Sequence, residues 1–80
     1  VEEQLAGYAE LSATSEMIRW ISSEPLRSLS VIDAAGRVVW QPRLSESREG
    51  GILVPSSLAQ GLYTVIAYMG GQRRVVRFIK

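Results

Sequence analysis

The stretch Leu58–Lys80 constrains the fold more than any other part of the chain. Gly70 and Gly71 lie between two runs rich in β-branched and aromatic residues, Leu62–Tyr68 and Arg73–Ile79. Adjacent glycines in that setting supply the positive φ that a tight hairpin turn needs at its centre, so they pin the register of the two strands. Tyr63, Val65 and Ala67 alternate against Leu62, Thr64, Ile66 and Tyr68, and Val76 and Phe78 alternate against Val75, Arg77 and Ile79. Both faces carry apolar groups, so neither strand reads as a solvated ribbon.

The approach to this hairpin has the pattern Leu58-x-x-Gly61-x-Tyr63. In Greek-key sandwiches a tyrosine at such a corner buries its ring and returns its hydroxyl to backbone upstream. Gly61 would make the turn that a residue lacking Cβ makes cheaply. A plain strand start after a turn explains the same residues, and under either reading Tyr63 is structural.

Eighty residues make one small domain. Such a domain buries about 60% of its extended-chain surface and has a total stability of about 4–12 kcal/mol. The hydrophobic share of 46% suffices for a single core and argues against a disordered tail. Cysteine is absent, so no disulfide or thiolate site is expected. Histidine is absent as well, which removes the commonest acid-base group near neutral pH and the commonest metal ligand. The formal net charge is +1 but unevenly spread: Glu2, Glu3, Glu10 and Glu16 precede any basic residue, while Arg73, Arg74, Arg77 and Lys80 crowd the end. Two differently charged ends suit self-association or a partner. A nucleic-acid partner would want a larger basic excess with interleaved aromatics. No apolar run reaches the length of a signal peptide or a membrane span, and the start at Val1 fits a piece of a longer or processed protein.

Residues 1–15 read as a linker or a first strand near Gly7 to Ala13, and residues 16–80 as the domain proper. Met17–Ile21 forms a strand with Ile18 and Trp20 on one face, ended by Ser22, Ser23, Glu24 and Pro25. Trp20 is expected in the core, because large aromatics dominate small cores. Leu29–Ile32 and Val38–Trp40 flank a turn in which Asp33 stands first and Gly36 fourth, the signature of a type I turn whose glycine adopts the left-handed conformation of a bulge. Capping of backbone amides accounts for Asp33 more economically than a chemical role. Residues 41–51, with Pro42, Glu46, Arg48, Glu49, Gly50 and Gly51, read as the longest loop. Ile52–Val54 is a short strand closed by Pro55, Ser56 and Ser57. Six clear strands, a seventh near the N-terminus and no helix predict an all-β, immunoglobulin-like antiparallel β-sandwich, with a small open barrel as the alternative.

Nothing in this pattern assembles a catalytic site, a metal site or a cofactor cradle. Ser45 and Ser47 have no histidine to activate them, Asp33 is the sole aspartate, and neither glycine pair precedes a helix that could point amides at an anion. An enzyme is not expected, and surface recognition remains. The basic run Arg73–Lys80 suits a docking role or, equally, a charged edge that discourages unwanted strand pairing.

Taken in order, Val31–Val39 with its Asp33, Gly36 and Arg37, then Ile52–Pro55, then Leu58–Val65, then Val75–Lys80 at the end of the chain, resembles the type A C-terminal sorting domain of the bacterial type IX secretion system. The likeness runs from about Met17 to Lys80. The Asn-Pro element that usually opens the family pattern is missing, and Ala13, Thr14 and Ser15 stand nearest to it. The resemblance implies a folded export signal, carried into the periplasm with its cargo and recognised there by the outer-membrane translocon. The cargo then reaches the cell surface or the medium, typically after a sortase removes the domain. By this resemblance Gly61 and Tyr63 at the corner and Arg77, Phe78 and Lys80 near the end matter for recognition, and the basic run adds Arg73 and Arg74, so that the partner-recognition residues are Arg73, Arg74, Arg77, Phe78 and Lys80. Asp33, Gly36, Arg37, Leu58, Gly61, Tyr63, Gly70 and Gly71 make up the structural motif. A terminal strand of this kind could be offered to a partner sheet, or exchanged between two copies as a strand-swapped homodimer. The competing reading is an accessory adhesion or carbohydrate-binding sandwich of an extracellular protein, for which Trp40 and Tyr68 are the candidate exposed aromatics.

Overall fold

Alternation of apolar and polar residues divides the described part of the chain into seven strands. The computed structural model describes residues 9–44 and 46–80. The strands are β1 (Ala9–Ala13), β2 (Met17–Ser22), β3 (Leu26–Ile32), β4 (Val38–Trp40), β5 (Glu49–Leu53), β6 (Leu62–Met69) and β7 (Gln72–Ile79). They form two antiparallel sheets, one ordered β1-β2-β5 and the other β4-β3-β6-β7. This partition, in which the fifth strand returns to the sheet of the first two, is that of an immunoglobulin-like sandwich.

The core lies where the inward halves of the strands meet. Ile18 and Trp20 enter from β2, Leu26, Leu29 and Val31 from β3, Tyr63, Val65, Ala67 and Met69 from β6, and Phe78 from β7. Within the stretch expected as a linker or first strand, Ala9–Ala13 is a strand, while Gly7 lies outside the described residues. The third strand begins at Leu26, three residues before its expected start, because the chain turns into the sheet directly after Pro25. There the buried Ser22 hydroxyl donates to the Glu24 carbonyl, and the Leu26 N–H donates to the Ser47 carbonyl at 2.7 Å.

The loop expected over residues 41–51 is shorter than its composition suggests. Glu49, Gly50 and Gly51 belong to β5, and Gly50 pairs with Trp20 on β2. A Cβ on Gly50 would stand 2.7 Å from Trp20 Cζ2, so the glycine is the space into which the indole packs. At the other end, Val54 lies beyond β5, yet it is buried and its N–H donates to the Glu16 carbonyl at 2.9 Å.

The β3–β4 turn follows the sequence reading closely. The Asp33 carboxylate accepts from the N–H groups of Ala35 and Arg37, both at 2.9 Å, and Gly36 adopts φ +87°. Arg37 Nε lies 3.5 Å from Asp33 Oδ2. The Arg37 N–H is the main cause that holds the Asp33 carboxyl below its ordinary value of 3.8; the Ala35 N–H and the Arg37 charge add to it, and desolvation opposes it. With the folded value below the unfolded one, Asp33 supports the turn above about pH 3.8, and that support disappears as pH falls through the lower folded value. In an NMR titration the Ala35 and Arg37 amide shifts should move with a midpoint below 3.8; a midpoint at or above it would mean that the cap does not form in solution.

Candidate docking edge

The β6–β7 hairpin closes the larger sheet and decides what the terminal strand offers to the outside. Met69 pairs with Gln72 across Gly70 and Gly71, and Gly70 alone of the two has positive φ, +61°. That combination is a type II′ turn, whose twist matches the strands that it joins. At the far end, Gly61 (φ +156°) and Lys80 exchange both backbone hydrogen bonds, at 3.1 and 2.9 Å. Tyr63 stacks on Phe78 with ring centroids 5.4 Å apart, and its hydroxyl donates to the Ala59 carbonyl at 2.6 Å. This is the tyrosine corner expected from the sequence, with half-buried Leu58 packed against the core beside it.

Antiparallel pairs alternate between residues that exchange hydrogen bonds and residues that do not. Because Gly61 and Lys80 exchange theirs, so do Tyr63 with Phe78, Val65 with Val76 and Ala67 with Arg74. The intervening residues Arg73, Val75, Arg77 and Ile79 therefore turn their N–H and C=O groups away from β6, toward the edge of the sheet. The side chains of the same four residues stand on the outer face, and all four are exposed. One side of one strand thus combines backbone that pairs with no other strand among the described residues with an alternating run of cation, aliphatic, cation, aliphatic.

The expected recognition residues separate into two groups. Arg73 and Arg77 are exposed, and their side chains have no ion pair or hydrogen bond among the described residues. Arg74 faces the other way and donates from Nε to the Ala9 carbonyl at 3.1 Å, tying β7 to β1 where the two sheets approach. Phe78 is buried against Tyr63, and Lys80 is half-buried with its backbone paired to Gly61. Phe78 therefore holds the strand in place rather than meeting a partner at the surface.

The charged residues in the strands of the larger sheet are all basic. Its four strands carry Arg27, Arg73, Arg74 and Arg77 and no carboxylate, whereas β1, β2 and β5 carry Glu10, Glu49 and Arg19. Arg27 was not singled out from the sequence. It is exposed at the register shift between Leu26 and Ser28, beside the Ser28–Tyr68 pair, and only the pairing of β3 with β6 brings it near Arg73, which pairs with Tyr68 from the other side. Exposed Leu62, Tyr68, Val75 and Ile79 share the face of Arg73.

An open groove of about 770 Å³ lies over β1, β2 and β5, lined by Glu10, Arg19, Ile21 and Glu49 among others. Glu10 and Glu49 both pair with Ile21 from opposite sides, which sets their backbones about 10 Å apart, too far to share a proton. Among the described residues no three metal-ligating side chains gather. Trp40 packs against the core and Tyr68 lies on the outer face, so the two candidate aromatics form no row for a sugar. No helix among the described residues is long and apolar enough to cross a membrane. Comparison with family models, curated proteins and solved structures finds no match to this chain.

Proposed function

We propose that this domain is a folded export signal of the type IX sorting kind, which binds its transport machinery through the outer side of β7. The observation that carries the reading is the division of labour within that strand. Val76, Phe78 and the Arg74 tie hold the fold, while the Arg73 and Arg77 side chains make no ion pair or hydrogen bond among the described residues. Such cations, beside a sheet edge that pairs with no other described strand, suit strand addition to a partner, in which main-chain bonds give affinity and alternate side chains give specificity. The partners in this reading are an outer-membrane translocon and a sortase, the cargo passes through the periplasm to the cell surface or the medium, and cleavage chemistry belongs to the sortase.

The test is a periplasmic reporter carrying this domain at its C-terminus, expressed in a bacterium with a working type IX system, beside the reporter alone. The fusion should appear on the surface or in the medium while the reporter alone stays in the periplasm. Periplasmic retention of a folded fusion would refute the reading and leave the accessory sandwich. Truncation after Gln72 is a poor control, since it removes Phe78 from the core and the whole ladder from β6.

A further inference from the structure

From the pleat of β7 we infer the chemistry of its partner: an extended segment in which acidic and aliphatic side chains alternate at every second position. The inference rests on the docking reading above and specifies what the docked strand must look like. A strand added at the edge would hydrogen-bond to the main chain of Arg73, Val75, Arg77 and Ile79, and its outward side chains would lie directly across from those four. Opposite charges at such positions stabilise a pair and like charges weaken it. The complementary strand therefore places Asp or Glu across from Arg73 and Arg77, and Val or Ile across from Val75 and Ile79. Its inward side chains must be small, because β1 runs beside β7 and Arg74 reaches across to Ala9.

Charge decides among the possible occupants. Two copies of β7 paired antiparallel about Val75 would set Arg73 of each against Arg77 of the other, so that register is disfavoured. β5, an edge strand of the smaller sheet, offers outward Glu49 and Leu53 but only Gly51 between them, a single acid where two are called for. An anionic lipid surface would answer the arginines, but it would leave the four edge N–H and C=O groups without strand partners.

The test uses the folded domain and two synthetic peptides. The first has valine at its second and sixth positions, glutamate at its fourth and eighth, and threonine between, so that antiparallel pairing sets valine across from Ile79 and Val75 and glutamate across from Arg77 and Arg73; in the second, lysine replaces the glutamates. The glutamate peptide should slow hydrogen exchange at the amides of Arg73, Val75, Arg77 and Ile79 and bind about tenfold or more tightly than the lysine peptide. The double variant Arg73→Glu/Arg77→Glu should reverse that preference. Equal binding of both peptides with the same amides protected would overturn the acidic code and spare the docking edge. Protection by neither peptide would overturn both. Protection that instead follows protein concentration, or addition of phosphatidylglycerol vesicles, would replace the proposed partner with a second copy or a lipid surface.

Discussion

Phe78→Ala should cost about 3–5 kcal/mol of stability, the range for emptying a large aromatic site in a core. Phe78 is only 5% exposed, and its ring stacks on Tyr63, which is equally buried and anchors the corner through the Ala59 carbonyl. Removing the ring opens a void under that corner and uncovers Tyr63 at the edge of the sheet. For a domain whose whole stability is about 4–12 kcal/mol, such a loss brings the chain close to unfolding at ordinary temperature. Thermal denaturation followed by circular dichroism measures it, since each kcal/mol moves the midpoint by about 4–8 °C in a domain of this size. A midpoint lowered by less than about 5 °C would place Phe78 outside the core and return it to the surface role that the family resemblance assigned to it.

The second large effect is expected at the hairpin turn. Gly70 has φ +61°, where an L-residue clashes with its own backbone at a cost of about 1–2 kcal/mol. A Cβ there would also stand 2.6 Å from both Cβ and Cγ of Glu24, so the β2–β3 connection must shift to admit it. Overpacking of this kind adds about 1–3 kcal/mol. Gly70→Val should therefore destabilise the domain by about 2–5 kcal/mol, read from urea denaturation at constant slope. Gly71→Ala is the matched control: its φ is not positive and a Cβ would meet nothing within 4 Å, so a change of about 0.5 kcal/mol or less is expected. Equal losses at the two glycines would contradict the type II′ assignment.

Local chemistry was the part of this fold that sequence could express. Asp33 and Gly36 announce a turn because an Asx cap and a left-handed glycine need those residue types, and Tyr63 announces a corner because its hydroxyl has to find backbone within a few residues. Gly50 misleads for the opposite reason. Its place in β5 depends on Trp20, which is distant in sequence, and a glycine pair in a polar stretch otherwise reads as loop. Leu26 shows the same limit, since a bulge between Leu26 and Ser28 interrupts the alternation that would have extended the third strand backward.

The candidate site was legible in composition but not in orientation. Five residues near the C-terminus drew attention as a group, yet the strand's pleat sends Arg74 toward Ala9, buries Phe78 and leaves Arg73 and Arg77 outward. Period two alone separates odd from even positions. It takes the register with β6 to tell which set faces the core and which backbone groups pair with no other described strand. Arg27 comes near Arg73 only through the neighbouring strand, a relation that no local pattern carries.

In the proposed export role, β7 keeps its outward charges apart from the residues that hold the fold. The most direct measurement pairs export with melting for the Arg73→Glu/Arg77→Glu variant of the reporter fusion. Both side chains are exposed and make no ion pair or hydrogen bond among the described residues, so the melting midpoint should stay within a few degrees of the parent, while surface or medium localisation is lost. Export at the parental level from a folded, charge-reversed domain would contradict the account.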